Sequence, residues 1–200
     1  PTWPFRLAIP KQTWSLPSPN SLVPHMTAQS HFERDTRITS TGAGRWSTQL
    51  SAAWNIGPNP NGGYLILPLL RAMSSLVDQP DPITVTTHYL RPGLAGAEAE
   101  IRAELVKPGR LASNLRGSMH QDGKPRLESL VAFADLDTST GPDVDITIPA
   151  PDIPPPDECI VRSGIDQGVE LALLSRAEMR LHPDFANAGS LNEPIIDGWV

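Results

Sequence analysis

The sequence predicts an α+β fold in which an antiparallel sheet is wrapped around one central helix. Two features of the chain point there. A nearly all-apolar run of helical length follows a Gly-Gly pair at Gly62-Gly63, and period-two segments flank that run on both sides with no second clear helix among them.

The elements follow in chain order. Residues 1–25 hold six of the 22 prolines and lack the basic start and continuous apolar core of a secretory signal, so they read as an irregular leader. Met26 then offers an alternative translation start. From Ser30 to Ser40, Phe32, Thr36 and Ile38 recur at period two, and from Arg45 to Ala53 so do Trp46, Thr48 and Leu50. Two strands joined by a turn at Thr41-Gly42-Ala43-Gly44 are expected.

Asn59-Pro60-Asn61-Gly62-Gly63 precedes Tyr64, Leu65, Ile66, Leu67, Leu69, Leu70 and Met73, which leave hardly any polar face. Such a helix must be buried almost all round. Pro68 would remove one hydrogen bond and strain the preceding turn at about 3 kcal/mol, so a kink, or a helix beginning near Pro68, is expected. Four strands follow at Ile83–Arg91, Ala97–Val106, Leu111–Gln121 and Lys124–Leu136, with Asp122-Gly123 as a hairpin turn. In the first, Val85, Thr87 and Tyr89 share one face and Thr84, Thr86, His88 and Leu90 the other.

Residues 137–158 read as a Pro-rich linker, and Val169–Leu181 fits a short helix or a strand equally. The net charge of -6 argues against general affinity for nucleic acid or anionic membrane, and the longest apolar run is far short of a bilayer span. Cys159 is the only cysteine, which rules out a disulfide framework within one chain and fits a cytoplasmic protein. As a nucleophile it lacks a nearby His, and a structural role is the better reading.

Trp54, Asn61-Gly62-Gly63-Tyr64 with its helix, Thr86-Thr87-His88-Tyr89-Leu90-Arg91-Pro92-Gly93, Lys107–Arg110, Gln121-Asp122-Gly123-Lys124 and Ala132-Phe133 together resemble the double-hotdog acyl-CoA thioesterases of the thioesterase II type. The resemblance implies a first hotdog domain over 26–136 and the start of a second, incomplete hotdog repeat over 159–200. It also implies acyl-CoA as ligand, hydrolysis to free fatty acid and CoA, and no cofactor. The family's catalytic Asp, Thr or Ser, and Gln lie in the second repeat, and no position of this chain matches them. A non-catalytic hotdog module that binds acyl groups or a partner subunit, as a homo-oligomer or with a complementing chain, is the competing expectation.

Candidate substrate-binding residues are Asn61, Gly62, Gly63, Tyr64, His88 and Arg91. Backbone N–H groups at a helix start can hold a developing oxyanion, and Asn61 can cap the helix or bond a ligand. Asn-Gly-Gly can equally be only a tight turn. His88, on a strand expected beside the helix, suits acid–base work or a structural hydrogen bond. Arg91 can meet a CoA phosphate or face solvent. His120 and His182 show no metal-ligand spacing.

Overall fold

Burial of one helix organises the structure, a computed structural model that describes residues 30–138, 152–163, 168–186 and 196–200. The predicted leader and residues 139–151 of the predicted linker lie outside the described residues.

The chain enters not on a strand but on a short helix, α1 (His31–Asp35). Ser30 Oγ accepts from the Glu33 amide at 3.1 Å while the Glu33 carboxylate takes the Ser30 amide at 3.1 Å, a capping box that satisfies two otherwise orphaned donors. The expected strand over 30–40 is therefore confined to its end: β1 (Thr39–Gly42) pairs with β2 (Arg45–Gln49). Between them Gly44 has φ +66°, and a Cβ there would lie 2.8 Å from the Ala103 carbonyl.

A 3-10 turn (Ala52–Trp54) and a small ribbon of β3 (Asn55–Ile56) with β4 (Asn59–Pro60) lead into α2 (Gly62–Ser74). The helix starts at Gly62, six residues before Pro68, rather than close to it. Tyr64, Leu65, Ile66, Leu69, Ala72 and Met73 are all buried along it. Burying four large apolar side chains at about 1.5–3 kcal/mol each outweighs a proline penalty of about 3 kcal/mol.

Then come β5 (Asp81–Tyr89), β6 (Glu98–Lys107), β7 (Ala112–Gln121) and β8 (Lys124–Ala134), close to the expected bounds. Asp122 and Gly123 carry φ +51° and +68° in the β7–β8 hairpin, as a primed turn requires. The six strands form one antiparallel sheet in the order β1-β2-β6-β7-β8-β5, so β5 crosses to the far edge.

The sheet's inner face is read off the register. Trp46, Ile101, Met119 and Leu127 stand in one cross-strand row, and Leu115 and Val131 in another, all buried under α2. Gly117, between those rows, lets the helix come close: a Cβ there would lie 2.6 Å from Met73 Cε and 2.7 Å from Leu69 Cδ1.

Beyond 138, a 3-10 turn (Pro156–Glu158) precedes a small sheet ordered β11-β10-β9, made of β9 (Ile160–Val161), β10 (Arg180–Leu181) and β11 (Gly198–Trp199). The ambiguous stretch 169–181 resolves into a 3-10 turn (Ala172–Ser175) followed by β10. Part of it docks on the first domain, where the Gly57 amide donates to the Glu170 carbonyl at 2.6 Å.

Candidate functional site

The start of α2 is built by its cap. Asn61 Oδ1 accepts from the Tyr64 amide at 3.2 Å and the Asn61 carbonyl from the Leu65 amide at 2.9 Å. Gly62 and Gly63 are the first two helical residues, whose amides have no intrahelical acceptor. Two N–H donors thus stand side by side at the positive end of a buried helix.

Tyr64 fixes that end to the rest of the domain. Its buried hydroxyl donates to the Asp35 carbonyl and accepts from the Ser51 amide, both at 2.8 Å. Its ring stacks on Trp54, with centroids 5.3 Å apart and planes 7° off parallel. Over the other side lies Tyr89 of β5, whose hydroxyl donates to the Gly62 carbonyl at 2.8 Å. A Cβ on Gly62 would sit 3.4 Å from the Tyr89 ring. Burial raises the pKa of both phenols, so both stay protonated and act as donors around neutral pH.

Asn61, Gly62, Gly63 and Tyr64 therefore converge, but the other two predicted residues stand apart. His88 faces away from α2, on the outer side of the sheet, opposite Glu128 and exposed. The sequence left open which face of this strand turns to the helix; the period-two alternation that puts Tyr89 over the helix start puts His88 on the far face. The Arg91 guanidinium donates to the Pro125 carbonyl at 3.0 Å and its amide to the Arg126 carbonyl at 3.1 Å, at the foot of the β7–β8 hairpin.

Sequence reasoning missed several residues. Tyr89 was placed on one strand face with Val85 and Thr87, but neither as facing α2 nor as the cover of Gly62. Gln121, buried, clasps Leu94 by accepting from its amide at 2.8 Å and donating to its carbonyl at 2.9 Å. Arg126, also buried, donates to the Pro92 carbonyl at 3.0 Å. Together they pin the loop in which Gly93 presses on the first turn of α2; a Cβ on Gly93 would lie 2.8 Å from Leu65 Cδ1.

Asp35 had no sequence signal at all. Its buried carboxylate accepts from Arg34 Nε at 3.0 Å, Trp54 Nε1 at 3.0 Å and Arg176 Nε at 3.2 Å. Burial pushes its pKa up, yet the hydrogen bonds from Arg34 and Trp54 and the charges of Arg34 and Arg176 prevail and hold it below the usual carboxylate range.

An open cleft of about 720 Å³ runs along the outer flank of α2. Phe32, Ile38, Leu67, Leu70, Pro82 and Phe133 supply its apolar lining. Among the described residues no group of three His, Cys, Asp or Glu side chains is placed to hold a metal ion, and no helix is long and apolar enough to cross a membrane.

Residues 50–135 match the family model of the acyl-CoA thioesterase N-terminal domain. Among solved structures, a thioesterase II from Thermobifida fusca is similar at 28% identity and a TM-score of 0.68, over 82% of this chain and 57% of that one. A hot dog fold protein from Alicyclobacillus acidocaldarius gives 21% identity and a TM-score of 0.66, over 77% and 56% of the two chains. An acyl-CoA thioesterase II from Mycobacterium marinum gives 17% and 0.57, over 80% and 55%. The chain thus spans a little over half the length of each of these proteins. No curated protein matches it.

Proposed function

We propose that this chain, thioesterase-like by the match of residues 50–135 to the acyl-CoA thioesterase N-terminal domain model and by its hotdog fold, binds acyl-CoA thioesters at the start of α2 for hydrolysis to fatty acid and CoA. The observation that carries this is the pair of first-turn amides on Gly62 and Gly63, which have no intrahelical acceptor and are held at the end of a buried helix by the Asn61 cap.

In this arrangement the thioester carbonyl oxygen accepts from the two amides. Attack of water on the carbonyl carbon, with one water proton passing to a base outside these residues, places negative charge on that oxygen, where fixed N–H dipoles stabilise it; breaking the C–S bond then releases CoA as thiolate and leaves the carboxylic acid. Leu67 lies five residues, about 7.5 Å of helical rise, beyond Gly62, so the acyl chain can follow α2 into the cleft at Phe32, Leu70 and Phe133.

Asn61, Gly62, Gly63, Tyr64 and Tyr89 include no carboxylate or imidazole, and both tyrosines are held protonated. Activation of the water falls to a group outside this set. That gap favours a second reading, an acyl-binding hotdog module that works with a partner chain or a second copy. Among the described residues β5 is an edge strand, with Ile83, Val85 and Tyr89 half exposed, and this edge is where a partner would extend the sheet. A cytoplasmic location belongs to the same proposal, and cell fractionation tests it.

The test is calorimetric titration and turnover with acyl-CoAs of several chain lengths, on the natural chain and on Gly63→Pro. The substitution deletes one donor in the first helical turn, where no intrahelical bond depends on it. Weakened acyl-CoA binding in Gly63→Pro supports the site, and binding without turnover selects the module reading. Undiminished binding and turnover in Gly63→Pro would sink the assignment of the helix start.

A further inference from the structure

The start of α2 is closed into a ring by residues far apart in sequence. From Asp35 one arm runs through its carboxylate to Trp54 Nε1 at 3.0 Å, and the Trp54 carbonyl accepts from the Asn61 amide at 3.0 Å. The other arm runs from the Asp35 carbonyl to the Tyr64 hydroxyl at 2.8 Å, and the Tyr64 amide returns to Asn61 Oδ1 at 3.2 Å. Trp54 and Tyr64 also stack face to face, so the arms are packed against each other. Gly62 and Gly63 sit inside this ring, between Asn61 and Tyr64.

One further group enters it from a distant part of the chain. Arg176, just after the 3-10 turn Ala172–Ser175, places Nε 3.2 Å from the same Asp35 oxygen that takes the Trp54 indole, across 141 residues of sequence. The Arg176 side chain is 17% exposed, whereas Arg34, on the other Asp35 oxygen, is 48% exposed. Arg176 is therefore the better-shielded charge on the carboxylate, and screening weakens it less. The Gly57 amide on the Glu170 carbonyl is a second tie between the same two segments.

We infer that Arg176 is a positioning residue for the Gly62 and Gly63 amides: the segment carrying it sets the geometry of the helix start by orienting the Asp35 carboxylate, and through it Trp54 and Asn61. This rests on the reading of those amides as ligand donors. The coupling passes through contiguous hydrogen bonds and one stacked pair.

The experiment measures amide hydrogen exchange at Asn61 and Tyr64, whose amides are bonded within the ring, and at Leu115 and Val131 in the sheet, in the natural chain, Arg176→Ala, Arg176→Lys and Arg34→Ala. Acyl-CoA titration runs alongside. Loss of a charge-assisted bond predicts about tenfold faster exchange at Asn61 and Tyr64 in Arg176→Ala, with Leu115 and Val131 unchanged. Arg176→Lys should recover part of the protection, and Arg34→Ala should have the smaller effect. Acyl-CoA binding should weaken in the order of that exchange. Unchanged exchange at Asn61 and Tyr64, or equal acceleration at all four amides, overturns the inference. If the natural chain binds no acyl-CoA, the functional proposal fails, while the exchange pattern still decides whether Arg176 controls the helix start.

Discussion

Gly117→Ala probes the contact on which the fold turns. The added methyl would stand 2.6 Å from Met73 Cε, 2.7 Å from Leu69 Cδ1 and 2.9 Å from the Arg102 carbonyl oxygen, closer than a Cβ is ever found to such atoms. Met73 and Leu69 are fully buried, so neither chain end has open space to move into, and the carbonyl belongs to the β6–β7 ladder. Overpacking of that kind destabilises by about 2–3 kcal/mol. With a urea m-value of about 1.5 kcal/mol/M, the unfolding midpoint should fall by about 1.5 M. Gly42→Ala serves as the comparison, since a Cβ there meets nothing within 4 Å and its φ is ordinary. It should change stability by no more than about 0.5 kcal/mol, which leaves the midpoint within about 0.3 M of the natural chain. Equal midpoints for Gly117→Ala and Gly42→Ala would refute the packing of α2 on β7 described above.

The chain has only two tyrosines, Tyr64 and Tyr89, and burial raises both. Phenolate absorbance of the folded protein should thus titrate wholly above about pH 10, and at about pH 10 once unfolded in urea. Because the folded pKa values lie above the unfolded ones, their contribution to stability is intact below about pH 10 and declines as pH rises through the folded values; a normal phenol titration in the folded protein would contradict this. Asp35 has the opposite sign. Its folded pKa is depressed, so the stability it confers is present above about pH 4 and disappears as pH falls through the folded value. Asp35→Asn should flatten the acid limb of the urea midpoint against pH, and an unchanged limb would remove Asp35 from the account.

The sheet was largely legible because half-buried antiparallel strands write their register into period-two alternation, and Asp122-Gly123 names its own turn. Buried Tyr64, Leu65, Leu69 and Met73 announced α2 in the same way. His31–Asp35 misled because Phe32, Thr36 and Ile38 mimic a strand, although Ser30 and Glu33 spelled a capping box three residues apart. A helix start near Pro68, one of the two expectations there, did not hold, since local propensity cannot register that the helix around it is packed on a sheet. At the candidate site, Asn61 through Tyr64 are contiguous and were found together. The alternation separated His88 from Tyr89 correctly, but it does not say which face of β5 turns to the helix. Asp35, Arg126 and Arg176 act through contacts across 19 to 141 residues, or with backbone carbonyls, and leave no local pattern to read.

The most direct test of the central claim is a nitrogen-15 amide spectrum of the chain titrated with an acyl-CoA. Thioester binding at the start of α2 predicts that the Gly62 and Gly63 amide resonances shift most, with smaller shifts at Tyr89 and along the Leu67 to Leu70 flank. Saturable binding that leaves Gly62 and Gly63 in place while shifting residues elsewhere, or no saturable binding at all, would contradict it.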